Sequence, residues 1–284
     1  MATGRDGHVF RRLTVLVQTT MPCSFPPEIL DQIVDHLHDD PAALGACCLV
    51  SKSWIPRTRM YLFTRVKFTS ELPFGRWVKA FPNPPNSPAH YTRTLTVLSH
   101  RAAVTAVAVD WIRAFHNIVH LHLYGCLLSP FHGLSPAVRS LRLEYPEART
   151  SKILDFMCSF PLLEDFALLL GPGSDTDDWT APSTLPRLTG SLGLGGMVGG
   201  IGNIMRRLLD IQGGLHFTKI ALTWMDGTDF KLAVDLISRC SRTVQFLDLT
   251  EDLYRTEDRP GAFPSHLVPD LCLTAALRPC RDRV

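Results

Sequence analysis

The sequence predicts an α/β protein in which three short helices precede a series of strand–helix units. Two patterns predict it: three amphipathic segments lie between residues 25 and 63, and eight short alternating apolar and polar segments recur along the rest of the chain. Stretches of helical periodicity lie between several of the alternating segments. Strand, turn and helix in repetition indicate an α/β solenoid with parallel strands.

The first amphipathic segment opens at Pro26, Pro27 and Glu28. Its apolar residues recur at helical spacing and predict one apolar face: Ile29, Leu30, Ile33, Val34 and Leu37. Asp40 followed by Pro41 predicts a stop and a restart, because an Asp side chain caps free backbone N–H groups and proline suits the first helical position.

The second helix is predicted to run through Leu44, Cys47 and Cys48. Ser53 is the predicted cap of a third helix whose first turn accommodates Pro56. The bulk of that helix comes from Trp54, Met60, Leu62 and Phe63. Three helices this short cannot bury all their apolar surface among themselves, so part of it is expected to face another body.

Eight segments with period-two alternation predict half-buried strands. They are Phe63–Phe68, Thr92–Leu98, Ile118–Cys126, Val138–Leu143, Leu163–Leu168, Leu192–Leu194, Phe217–Leu222 and Val244–Leu249. Their first inward residues are predicted at positions 66, 95, 121, 141, 166, 192, 220 and 247, with spacings between 20 and 29 residues. A doubly wound sheet is the competing architecture; the shared short motif favours the solenoid over strands that are long apolar runs.

Four stretches between strands have helical character: Val104–Phe115, Ser151–Phe160, Asn203–Ile211 and Asp229–Cys240. In the last, Phe230, Val234 and Ile237 are predicted to form the buried face, widened by Leu232 and Leu236. Three segments interrupt the strand–helix repeat. PNPPNSP at 82–88 is predicted to be an extended surface loop, residues 171–182 are an acidic, turn-rich insertion, and residues 251–264 are similar to that insertion. A final helix is expected from His266 onward.

Composition bounds the class of partner. The 284 residues include 29 basic and 27 acidic side chains, a net charge of +2, which gives no general attraction to nucleic acid. No apolar stretch has the length of a membrane span, and residues 1–21 are expected to be a loosely ordered extension. The eight cysteines show no CxxC spacing, which fits an intracellular, reducing setting.

Three patterns with catalytic or ligand-binding precedents are weak. GLGGMVGGIG at 193–202 cannot hold G-x-G-x-x-G and is better explained as a loop. His116, His120 and His122 straddle a strand start, where zinc spacing on a helix does not apply. Ser135 in GLSPA lacks the second glycine of a nucleophile elbow. We therefore expect no catalytic residues, no metal and no cofactor, and a protein that is not an enzyme.

The segment FPPEILDQIVDHLHDDPAALGACCLVSKSWIPRTRMYLF closely resembles an F-box, the module that binds the adaptor Skp1 in cullin-based ubiquitin ligases. The resemblance implies a docking module over residues 22–64. It implies contact with a Skp1-like adaptor through Phe25, Pro26, Pro27, Ile29, Leu30, Ile33, Leu37, Leu44, Leu49, Val50 and Trp54. An ordinary helical cap on a larger domain is the alternative.

Residues 65–284 resemble a degenerate leucine-rich-repeat domain, and Ile118-x-x-Leu121-x-Leu123-x-x-Cys126 is the best single match. The segments GGLHFTKIALTW and CSRTVQFLDLT also resemble F-box proteins abundant in mushroom-forming fungi, whose repeats are taken to be substrate receptors. The binding side of the strands would present Lys67, Thr94, Thr96, His120, His122, Ser140, Arg142, Asp165 and Asp248. Among these, His120, His122, Arg142 and Asp165 are the candidate target-binding residues.

The resemblance implies a substrate adaptor: the helices bind Skp1, the repeats bind an unidentified target protein, and other subunits transfer ubiquitin. A scaffold or regulatory repeat protein is the alternative, with the F-box-like helices capping the solenoid and binding no ligase. Neither nucleic acid nor membrane is expected as a partner.

Overall fold

The computed structural model describes residues 26–98, 106–171, 186, 188–196, 201–211, 215–225 and 229–251. The chain divides after Thr58 into two compact units. The predicted N-terminal extension, Phe25, nearly all of the acidic insertion and everything after residue 251, including the expected final helix, lie outside the described residues.

The first unit is helical. Its elements are α1 (Pro27–His36), α2 (Pro41–Val50), a 3-10 turn (Lys52–Trp54) and the first half of α3 (Ile55–Leu62), which runs across the division between the units. The predicted restart at Asp40 and Pro41 is confirmed. Asp40 Oδ1 accepts hydrogen bonds from the backbone N–H groups of Ala42 and Ala43 at 3.0 and 2.9 Å.

The predicted cap at Ser53 is wrong. Ser51 is the capping residue: its Oγ accepts a hydrogen bond from Ser53 N at 3.3 Å, and a 3-10 turn separates it from the start of α3 at Ile55. Ser51 and Ser53 both carry a hydroxyl that could cap, and Ser51, with its extended backbone, is the one whose hydroxyl accepts from a following N–H group. Pro56 does lie in the first turn of α3.

Two side-chain contacts connect the helices of the first unit. Thr58 is fully buried; its hydroxyl donates to Trp54 O at 2.8 Å, and Cys48 Sγ lies 3.0 Å from the same hydroxyl. Arg57 donates from Nε and Nη2 to the two oxygens of Asp35, both at 2.7 Å. This two-bond geometry orients α3 against α1 more specifically than a single ion pair would.

The second unit carries one sheet of eight parallel strands. The strands are β1 (Arg65–Phe68), β2 (Thr94–Leu98), β3 (His120–Tyr124), β4 (Ser140–Glu144), β5 (Asp165–Leu170), β6 (Ser191–Gly196), β7 (Lys219–Met225) and β8 (Phe246–Glu251). The helices are α4 (Glu71–Ala80), α5 (Ala106–Arg113), α6 (Thr150–Cys158), α7 (Ile201–Leu209) and α8 (Asp229–Arg239). The protein is therefore α/β, as predicted.

Every strand pairs with the next one in the sequence, so the sheet order follows the chain from β1 to β8. One row of paired residues crosses the whole sheet: Val66, Leu95, Leu121, Leu141, Phe166, Leu192, Ile220 and Leu247. These are the inward positions that the spacing predicted, so all eight strands and their registers are confirmed. The row from Val66 to Ile220 is buried throughout.

A second apolar row lies two residues further along each strand, from Phe68 in β1 through Leu123 and Leu143 to Leu249 in β8. Both rows, except Leu249, which is 43% exposed, belong to one hydrophobic core or pack against it, together with buried side chains of the helices, among them Trp77 in α4 and Leu236 in α8. Because strand side chains alternate, the residues between the two rows lie on the opposite side of the sheet.

Hydroxyl side chains form hydrogen bonds between successive strand–helix repeats of the second unit. Thr92 Oγ1 donates to Phe63 O at 2.9 Å, and Thr243 Oγ1 donates to Phe217 O at 3.0 Å. Ser135 Oγ donates in the same way, to His116 O at 2.7 Å. Each bond satisfies a carbonyl group of the preceding strand–helix unit, which ladder bonds at that position leave open.

The connections differ from the sequence analysis at two places. Helix α4, between β1 and β2, was not among the predicted helices; Pro73 lies in its first turn, where proline is tolerated. Residues 82–88 are not an extended surface loop: two 3-10 turns begin at Pro84 and Pro88, and Ser87 and Ala89 are buried. A fixed proline φ suits these tight turns as well as it suits extended chain.

The predicted apolar stripe of α8 is wrong in part: Leu236 is buried and Leu232 and Ile237 pack against the core as predicted, but two of its members are exposed. Phe230 and Val234 are 57% and 45% exposed, while Asp229, Ala233 and Leu236 are buried. Hydrophobicity alone selects the larger side chains, but α7 and α8 approach closely, and a Cβ at Gly202 of α7 would lie 2.1 Å from Asp229 Oδ1. A helix that packs this closely turns its small residues toward its neighbour.

None of the helices in the described part of the chain combines the length and the apolar character needed to cross a bilayer.

Candidate binding surfaces

Helix α1 carries two apolar stripes. Leu30, Val34 and Leu37 follow each other at helical spacing, and Val34 is 1% exposed. Ile29 and Ile33 lie one turn apart on the adjoining side and are 41% and 40% exposed. The predicted apolar face is therefore broader than the interior of the first unit uses.

Helix α2 shows the same division more sharply. Leu44 and Cys47 are buried, whereas Leu49 and Val50 are 89% and 69% exposed at the end of the helix. Nine large apolar side chains of the described residues are exposed, and four of them are on α1 and α2. The first unit is by far the shorter of the two, so its exposed apolar surface is concentrated.

The candidate adaptor-binding residues are not equivalent in the structure. Pro26, Pro27, Ile29, Ile33, Leu49 and Val50 are exposed, Leu30, Leu37 and Trp54 are half-buried, and Phe25 lies outside the described residues. Leu44 is 1% exposed and packs inside the unit. The exposed members are the ones available to a partner without rearrangement of the helices.

The candidate target-binding residues share the side of the sheet that faces away from the core. His120 pairs with Ser140, which in turn pairs with Asp165, and His122 pairs with Arg142. Since neighbouring strands lie about 4.8 Å apart, these side chains form two adjacent rows across β3, β4 and β5.

A charged cluster at the ends of β3 and β4 includes one residue that was not predicted, Glu144. His122 Nε2 lies 3.1 Å from Glu144 Oε1, and Arg142 Nε donates to the same oxygen at 2.6 Å. The hydrogen bond with His122, followed by the charges of Arg142 and His122, holds the pKa of Glu144 below its usual value, against the opposing effect of burial. The sequence signal was its position two residues after Arg142, which places both on one side of β4.

Two tyrosines border this cluster. The rings of Tyr124 and Tyr145 meet edge to face with centroids 5.4 Å apart. Tyr145 directly follows β4 with φ at 49°, a left-handed conformation that costs a non-glycine residue about 1 kcal/mol. Gly125 occupies the equivalent place after β3 with φ at 59°. Burial raises the pKa of Tyr145, with smaller contributions from Tyr124 and Glu144.

Asp165 is held by the adjoining strand. Its Oδ1 accepts hydrogen bonds from Ser191 N at 2.6 Å and from Ser191 Oγ at 2.7 Å. A Cβ at Gly190 would lie 2.3 Å from the same oxygen, so glycine is required there for the contact to form. Asp165 thus fastens β5 to β6, a structural contact that its place on the sheet did not reveal.

The residues of the weak catalytic and ligand-binding patterns have structural positions in the fold. Ser135 is buried and donates to backbone carbonyl groups of His116 and Ile118. The prediction that the glycine-rich run is a loop is wrong at both ends: residues 193–196 belong to β6 and residues 201–202 begin α7, while residues 197–200 lie outside the described residues. In the part of the chain that the structure describes, no three His, Cys, Asp or Glu side chains are grouped closely enough to hold a metal ion.

Comparison with protein-family models and with curated proteins finds no match for this chain. Two surfaces are available to a partner: the exposed apolar side chains of α1 and α2, and the side of the sheet that faces away from the core, called here the outer side.

Proposed function

We propose that the protein is an F-box substrate adaptor of a cullin-based ubiquitin ligase. In this proposal α1 to α3 form a three-helix F-box that binds a Skp1-like adaptor, and the parallel sheet with its helices is a leucine-rich-repeat-like solenoid that binds a target protein. The protein itself performs no chemistry. It acts inside the cell, in the cytoplasm or the nucleus.

The observation that carries the proposal is the exposure of Leu49 and Val50 on α2 and of Ile29 and Ile33 on α1, all four in the first unit. Exposed apolar side chains gathered on one small unit are typical of a protein–protein contact. Each of them would contribute about 1.5–3 kcal/mol if a partner buried it fully. A partner that covers them would gain that free energy.

The second support is the architecture. A regular array of parallel strands exposes one continuous side on which side chains from many repeats lie in rows, and such surfaces serve recognition. The five cysteines of the described residues are free thiols, in keeping with a reducing compartment. Burial, with a smaller effect of Asp155, raises the pKa of Cys158 to about 12, so that thiol is protonated and unreactive.

The test replaces both Leu49 and Val50 by Lys. Lysine retains good helix propensity and suits the C-terminal end of α2, so the unit is expected to stay folded. Placing charges in an apolar contact is expected to weaken Skp1 binding at least about 30-fold, the loss expected when a single interface hot spot is removed. Isothermal titration of purified protein with Skp1 measures the change.

A matched control is Leu162→Lys, which makes the same substitution at a side chain that is 49% exposed in the second unit. It is expected to bind Skp1 like the unmodified protein. Leu30 and Leu37 are poorer choices, because they are half-buried and charging them would also disturb folding. Equal Skp1 affinity of the folded Leu49→Lys, Val50→Lys variant and the unmodified protein would refute the proposal.

A further inference from the structure

The outer side of the sheet is polarised in charge. On β1 to β4 it carries Arg65, Lys67, His120, His122 and Arg142, a set that we call the basic patch. On β5 to β8 the charged residues of the same two rows are Asp165, Lys219 and Asp248. The nearly neutral charge of the whole chain hides this segregation, which appears only when the strands are in register.

The structure describes every residue of β1 to β4. Among these residues, Glu144 is the one with an acidic side chain. Its carboxylate is engaged by His122 and Arg142, and its side chain is only 13% exposed. In the described residues, neither Arg65 nor Lys67 forms an ion pair, and both are exposed. Among the described residues, Arg65 and Lys67 therefore present positive charge that no carboxylate neutralises, whereas Glu144 offsets part of the charge of His122 and Arg142.

The side chains between the basic residues of the patch are short. Thr94, Thr96 and Ser140 lie between the basic side chains and are short and polar. Lys67 and Arg142 belong to one row and are three strands apart, about 14 Å at the usual strand spacing. An extended peptide advances about 3.3 Å per residue, so acidic residues about four positions apart would reach both ends.

We infer that the basic patch binds an acidic, extended segment of the target protein, rich in Asp and Glu. The inference rests on the proposed function, since it names the class of target that the repeats would recognise. The Tyr124 and Tyr145 rings at the border of the patch add apolar contact area for such a segment. Charge complementarity of this kind determines specificity and association rate more than total affinity.

The test uses the full-length protein and a fluorescein-labelled, glutamate-rich peptide of about eight residues, long enough to span the patch. Fluorescence anisotropy measures binding at low salt, and a glutamine-rich peptide of equal length is the neutral probe. We expect the acidic peptide to bind and the glutamine-rich peptide not to bind. Added salt, which shortens the Debye length toward about 5 Å, is expected to weaken the binding of the acidic peptide.

The first variant is Arg65→Glu with Lys67→Glu, which is expected to bind the acidic peptide at least about tenfold more weakly. Its matched control, Lys219→Glu with Lys152→Glu, makes the same change in net charge on β7 and on α6 and is expected to retain binding. If the first variant does not fold, Lys67→Gln with Arg142→Gln removes two charges without reversing them and is expected to show the same direction of change.

Failure of the acidic peptide to bind, or an equal loss in patch and control variants, would overturn the inference. Tighter binding of a DNA oligonucleotide of matching length would overturn it as well, by assigning the patch to nucleic acid. Skp1 affinity, measured on the same proteins, separates the two ideas: it depends on α1 and α2, so the patch can fail while the adaptor function stands, and the reverse.

Discussion

At the residue scale, Glu144 shows how a side chain on the sheet depends on its neighbours. His122 comes from the adjoining strand and Arg142 from the same strand, and together they hold the carboxylate in its ionised form. A pKa held below the ordinary value of 4.5 means that the ionised carboxylate stabilises the fold above that pH. This stability is lost as the pH falls through the lowered pKa.

Glu144→Gln is therefore expected to lower the free energy of unfolding by about 1 kcal/mol near neutral pH, because charge-assisted hydrogen bonds are lost. Below the lowered pKa both proteins carry an uncharged side chain, and the difference is expected to vanish. Denaturant unfolding at neutral and acidic pH measures it, with the exposed Glu147→Gln as the control. A difference of equal size at both pH values would contradict this explanation.

Individual contacts of this kind could not be predicted from the sequence. Alternation placed His122 and Arg142 on one side of the sheet with Glu144, but which of these side chains bond each other depends on their rotamers, which alternation does not determine. The bonds from Ser191 to Asp165 depend in the same way on the close approach at Gly190. The cap at Ser51 was missed because a 3-10 turn separates it from the helix.

At the scale of elements, the strands were predicted well and the helices less so. Each strand repeats an inward pair of apolar residues, and eight repetitions of one signal locate the register that a single strand would leave open. Helices between strands have no such internal check. Thus α4, with Pro73 in its first turn, was not predicted, and Phe230 and Val234 were wrongly assigned to the buried stripe of α8.

Two residues of the predicted α8 stripe, one buried and one exposed, give a direct comparison. Leu236→Ala removes a fully buried side chain and is expected to lower the free energy of unfolding by about 2–5 kcal/mol. Phe230→Ala removes a larger side chain that is 57% exposed, and the expected loss is less than about 1 kcal/mol. Denaturant unfolding of the two variants measures both values. A larger loss from Phe230→Ala would restore the face that hydrophobicity alone selects.

At the scale of the whole molecule, the two units present different chemistry. The first exposes apolar side chains at Leu49 and Val50, and the second presents rows of polar and charged residues along a regular sheet. Helical periodicity predicted the apolar stripe of α1, but not which half of it would be exposed, because that depends on how α1 to α3 pack. We propose that the first unit docks to an adaptor and that the sheet recognises a target.

Hydrogen–deuterium exchange of the full-length protein, with and without saturating Skp1, tests directly whether the first unit is the one that docks to the adaptor. We predict that Skp1 slows amide exchange in α1 and α2, around Ile33 and Leu49, and leaves exchange in β3 to β5 unchanged. The expected pattern follows because binding lowers the local opening of the segments it covers. Unchanged exchange throughout, or protection confined to the sheet, would contradict the adaptor model.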